Sequence, residues 1–106
     1  MRLPNVESVR EFGEGGPHLA PLGRAGPVRC FAYFFKSGQR LGPERREETL
    51  SLYVIRGRVR VTGEGHEEEG HSGDVFLIPA GEAYAVTNAG RDELVVFATV
   101  VTDHPA

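Results

Sequence analysis

Gly73-Asp74-Val75-Phe76-Leu77-Ile78-Pro79-Ala80-Gly81-Glu82-Ala83-Tyr84-Ala85-Val86-Thr87-Asn88 sets two short apolar runs on either side of a proline and a glycine. Asp74 to Ile78 is nearly continuous and apolar, and it reads as a short strand. Proline has no amide hydrogen for a ladder, so Pro79 ends that strand. Gly81 permits a sharp reversal, and Glu82 to Thr87 reads as the next strand. Gly73-Asp74 turns the chain into the pair.

The same grammar extends upstream. Leu50 to Ile55 alternates, with Leu50, Leu52 and Val54 on one face and Ser51, Tyr53 and Ile55 on the other. Arg56-Gly57 makes a turn, and Arg58 to Thr62 points its valines inward and its arginines outward. Gly63-Glu64-Gly65 turns the chain again. The run His66-Glu67-Glu68-Glu69-Gly70-His71 reads as a solvated acidic turn rather than a metal site. Val28 to Lys36 and Glu93 to Val101 complete the strands. Short strands broken by glycine-rich turns, with no sustained helical period, predict an all-β sandwich or barrel.

The N-terminal quarter reads differently. Residues 1–12 alternate weakly and suit one short strand or a turn of helix. Residues 13–27 are rich in glycine and proline and read as a loop, a lid or an arm on a partner subunit. The expected organisation is an N-terminal arm over residues 1–27, a barrel over 28–101 and a tail over 102–106.

Two halves of the central region follow a spaced pattern: Gly38, Glu44, Arg46, Leu50 and Gly57, then Gly73, Pro79, Gly81, Tyr84 and Asn88. The pattern resembles the two signature motifs of the cupin family, G-x5-H-x-H-x3-E-x6-G and G-x5-P-x-G-x2-H-x3-N. Gly38, Gly57, Gly73, Pro79, Gly81 and Asn88 fall in register. The resemblance implies a jelly-roll barrel, and small cupins commonly pair as homodimers. The family's four metal-ligand positions are occupied here by Glu44, Arg46, Leu50 and Tyr84.

Those replacements argue against metal chemistry. Glu44 keeps a carboxylate, but Arg46 is always protonated and offers no lone pair, and Leu50 offers none either. Tyrosine ligates iron in some sites, rarely as the main anchor. No metal and no cofactor is therefore expected. Glu44 and Arg46 lie two apart, so on an extended strand they share a face about 6 to 7 Å apart and can pair. One reading makes them a partly solvated ion pair at the barrel mouth, with Leu50 as core. The other keeps a ligand pocket in which Arg46 grips an anion, Tyr84 supplies a hydroxyl and Leu50 an apolar floor.

Composition sets the remaining limits. The chain has 106 residues and a net charge of −3, which suits one globular domain and no nucleic-acid surface. Its only cysteine, Cys30, can form no internal disulfide and is expected to be buried and inert. The N-terminus carries no stretch apolar enough for a leader or a span, so a cytoplasmic location and no membrane partner are expected. His18 and His104 have no neighbours that would make them bases. Tyr53 and Ile55 give one strand a second apolar face, consistent with a homodimer. Three functions follow, in order. The first is a metal-free module binding a small polar or anionic molecule through Glu44, Arg46, Leu50 and Tyr84. The second is a metal-independent isomerase-like or epimerase-like enzyme. The third is a metal-dependent dioxygenase with replacement ligands.

Overall fold

A computed structural model describes residues 1–102. Nine strands form two antiparallel sheets: β1 (His18–Ala25), β2 (Val28–Phe35), β3 (Arg40–Arg45), β4 (Thr49–Arg56), β5 (Arg58–Gly63), β6 (His66–His71), β7 (Val75–Ile78), β8 (Ala83–Asn88) and β9 (Leu94–Val101). One sheet runs β1-β2-β9-β4-β7 and the other β3-β8-β5-β6. Non-sequential neighbours in both sheets give the wound connectivity of a jelly roll.

Alternation decides what lies between the sheets. Leu50, Leu52 and Val54 point inward as their spacing predicts, and they meet Val59, Val61, Tyr84 and Val86 from the opposite sheet. The outer face of the five-stranded sheet carries a second apolar cluster of Ala20, Leu22, Ala32, Phe34 and Val95. Leu3, Val6, Val9 and Phe12 cover it. Within that cover, Val6–Val9 forms one turn of 3-10 helix, and the Asn5 side chain accepts from the Glu7 amide at 2.8 Å. The N-terminal segment thus folds onto its own sheet.

Two segments differ from the sequence reading. His18–Ala25 is a strand, not part of a loop or arm, so the sheet begins well before Val28. Pro21 and Gly23 masked the pattern, and a register shift between them accommodates both. β1 is an edge strand, where proline is tolerated. His66–His71 is likewise a strand, paired with β5 from Arg58↔His71 to Gly63↔His66. It is the other sheet's edge, and exposed glutamates there discourage pairing with another chain. Arg40–Arg45 forms β3 despite Gly42 and Pro43. Cys30 is half-buried against the outer cluster rather than deeply enclosed. Of the expected C-terminal tail, residues 103–106, including His104, lie outside the described residues.

The spaced motif residues hold the sandwich together. Asn88 is 2% exposed, and its amide donates to the Phe35 carbonyl at 3.2 Å and the Asp92 carbonyl at 2.8 Å. Its Oδ1 accepts from Gly90 at 3.0 Å. The side chain therefore joins the end of β8 to the end of β2 in the opposite sheet. Gly57 has φ +100, and a Cβ there would lie 2.5 Å from the Glu93 carbonyl oxygen. Gly81 has φ +85 but open space around it.

The motif glycines should therefore differ in cost. Gly81→Ala carries only left-handed strain, about 1–2 kcal/mol. Gly57→Ala adds a backbone clash and should lower the urea midpoint more. Asn88→Ala leaves the Phe35 and Asp92 carbonyls without their partner and should cost about 1–3 kcal/mol. Denaturant titration of the three variants reads the ranking.

Candidate functional site

β3 and β8 run antiparallel with Glu44 directly opposite Tyr84. The Tyr84 hydroxyl donates to Glu44 Oε1. Arg46 Nε donates to the Tyr84 hydroxyl at 3.1 Å and to Glu44 Oε1 at 3.4 Å. Glu44 and Arg46 thus form the ion pair their spacing allows, with the tyrosine hydroxyl bonded to both. Arg46 lies one residue past β3, where its carbonyl accepts from the Gly81 amide at 2.7 Å. The turn after Pro79 therefore holds the residue that replaces a ligand in the first half of the motif. Leu50 is 1% exposed and lies in the core cluster that includes Tyr84.

The network continues outward. Arg46 Nη1 lies 3.5 Å from Glu48 Oε1. Glu48 Oε2 accepts from Arg29 and, at 3.0 Å, from the Thr102 hydroxyl. Burial pushes the Tyr84 hydroxyl above the ordinary tyrosine range, and its bond to Glu44 adds to the effect. Tyr84 stays protonated at neutral pH and acts as a donor. Burial also raises Tyr33, an inward neighbour on β2. For Glu48, burial opposes the charge, but the Thr102 hydroxyl and Arg29, aided by Arg46, outweigh it and hold the carboxyl below its usual range.

Two clefts flank these residues. The first, about 220 Å³, opens between the sheets and is lined by Tyr84, His66, Glu68, Glu82 and the apolar Val61, Phe76 and Ile78, among others. His66 Nε2 and Glu82 Oε1 are 3.0 Å apart within it. The second, about 460 Å³, is lined by Arg24, Arg29, Arg45, Arg46, Glu47, Glu48 and Thr102. Of the four expected pocket residues, Tyr84 lines the first cleft and Arg46 the second, while Glu44 and Leu50 line neither. His66 and Glu68 were set aside because β6 was read as a solvated turn, and Glu82, just before β8, carried no signal that it faces His66. For His66 and Glu68 the signal available was the alternation that brings every second residue of an edge strand to one face.

A family model described as the cupin domain matches residues 33–101. The chain belongs to the cupin family. Among solved structures it is similar to the protein TT1209 of Thermus thermophilus, with TM-score 0.88 and 17% identity over 95% of this chain and 97% of that one. It is also similar to a conserved Klebsiella pneumoniae protein with a double-stranded β-helix domain, with TM-score 0.84 and 17% identity over 95% and 90%. The cupin domain of Schizosaccharomyces pombe Cnp3 follows at TM-score 0.78 and 18% identity over 97% and 69%. No curated protein sequence matches the chain.

The cupin metal positions do not fit a metal in this chain. Arg46 and Leu50 have no lone pair to donate, Tyr84 is held protonated, and Glu44 already accepts from Tyr84 and Arg46. Among the described residues, no three His, Cys, Asp or Glu side chains are grouped to hold an ion.

Glu48 makes one consequence measurable. Its carboxyl is depressed in the folded state, so its contribution is fully present above about pH 4.5, the ordinary value, and is lost as pH falls through the folded value. Glu48→Gln should flatten the acid limb of the stability curve below about pH 4.5, read by denaturation midpoints from pH 3 to pH 7.

Proposed function

We propose that this cupin is a metal-free binding module for a small polar molecule, held in the cleft between the sheets. The observation that carries the reading is the lining of that cleft. Tyr84 and the apolar Val61, Phe76 and Ile78 form walls, while His66, Glu68 and Glu82 supply polar groups at one side. A concave apolar site with a few convergent polar groups is the usual form of a small-molecule site. Its volume of about 220 Å³ suits a compact ligand. Two carboxylates favour one that offers amine or hydroxyl donors. Glu44 and Arg46 act behind Tyr84 by holding its hydroxyl, and Leu50 packs with Tyr84 in the core rather than lining the cleft.

A second reading rests on the His66–Glu82 pair. A histidine oriented by a carboxylate beside a cleft is a recurrent acid–base arrangement, so a metal-independent isomerase-like activity would run through His66 rather than through the protonated Tyr84. A metal-dependent dioxygenase has no donor set to support it.

Homodimer formation belongs to the same proposal. Tyr53, Val75 and Leu77 are neighbours across the β4–β7 pair and are 43%, 58% and 73% exposed, with Val75 and Leu77 reaching the edge of the cleft. A cytoplasmic setting without nucleic-acid partners completes it, and no helix among the described residues is long and apolar enough to cross a membrane.

A thermal-shift series with small amines and polyols tests the binding reading, because a ligand selective for the folded state raises the melting midpoint. At least one class should raise it, and Glu82→Gln should remove the rise. A stoichiometric transition metal in the purified protein, lost in Glu44→Gln, would overturn the metal-free assignment. Leu77→Glu should lower the sedimenting mass if a second copy covers the stripe; an unchanged monomer in both proteins would sink the dimer.

A further inference from the structure

The second cleft carries a charge arrangement that the cleft between the sheets does not explain. Arg24 and Arg29 sit directly opposite each other across the β1–β2 ladder. Like charges directly opposed on antiparallel strands destabilise the pair. Glu48 is shared between Arg29 and Arg46, and Arg45 is paired with Glu64 at 2.9 Å. Arg24 has no ion-pair partner among the described residues. Four arginines therefore line this cleft against two glutamates, Glu47 and Glu48. Glu48 also orients its neighbours: bridging Arg29, Arg46 and Thr102, it holds two guanidinium groups at the rim of one concavity. The Arg29 side chain is further braced over the Phe31 ring at 5.6 Å. Guanidinium groups fixed in this way suit an anion with several oxygens, because each planar fork donates two parallel hydrogen bonds.

We propose that this cleft binds a small oxyanion carrying two negative charges, bridging Arg24 and Arg29 with Arg46 as a further donor. The site is separate from the cleft beside Tyr84 and does not rest on it. Phosphate groups and compact dicarboxylates share this chemistry, and the experiment tells them apart.

Isothermal titration with inorganic phosphate, malonate and chloride, at matched ionic strength, provides the test. Phosphate or malonate should bind saturably at one site per chain, and the tighter of the two identifies the geometry preferred. Arg24→Ala should weaken that binding about tenfold or more, as expected for loss of a charged hydrogen bond. Arg58→Ala, an exposed arginine outside the cleft, should leave it unchanged. A second readout has the opposite sign. Without anion, Arg24→Ala should melt at the same temperature as the parent protein or higher, since it relieves the opposed charges. With phosphate or malonate it should lose the parent's gain in melting temperature. The proposal fails if chloride equals both oxyanions, if Arg24→Ala keeps full affinity, or if Arg58→Ala weakens binding as much.

Discussion

One buried amide fastens the two sheets of this protein. Asn88 ends β8 in the four-stranded sheet, yet it donates to Phe35 at the end of β2 in the five-stranded sheet and to Asp92 in the connection to β9. A buried amide left unbonded would be costly, and this one has partners for its oxygen as well as its nitrogen. Side chains from both sheets pack into one core cluster beside this fastening.

The centre of the site is held by an internal ion pair and a tyrosine hydroxyl. A metal balances inward carboxylates by its charge. Here Arg46 supplies the positive charge from within the chain, and Tyr84 supplies a neutral donor that Glu44 accepts. The ion pair keeps partial contact with water, with about a third of the Glu44 side chain and 27% of the Arg46 side chain exposed. That exposure limits the desolvation cost that would burden a fully buried pair. Leu50 is the most buried of the four positions, where a charge would have no such relief. The result is a partly solvated, hydrogen-bonded group beside two clefts, one with apolar walls and one rich in arginine.

Most of the fold was legible in residue order. Alternation placed Leu50, Leu52 and Val54 inward, and Pro79 and Gly81 marked the β7–β8 turn. The family followed from glycines, a proline and an asparagine at fixed intervals. The segments misread were those whose strands owe little to propensity. β1 contains Pro21 and Gly23, and β6 is mostly glutamate and histidine. Each is an edge strand held by a single neighbouring ladder, so tertiary pairing overrides a composition that by itself suggests a loop.

The pairing of Glu44 with Arg46 was readable because a two-residue spacing on a strand puts both on one face. The same is true of Arg46 and Leu50 as non-ligands, since that depends on side-chain chemistry alone. By itself, then, the sequence determined the fold, the family and the side-chain chemistry at the family's ligand positions. Tertiary structure alone decided that Tyr84 bonds to both Glu44 and Arg46, that His66 and Glu82 meet beside it, and that Arg24 opposes Arg29. These contacts join residues distant in sequence or fixed by strand register. No local pattern encodes register; it emerges only when both sheets have packed against one core.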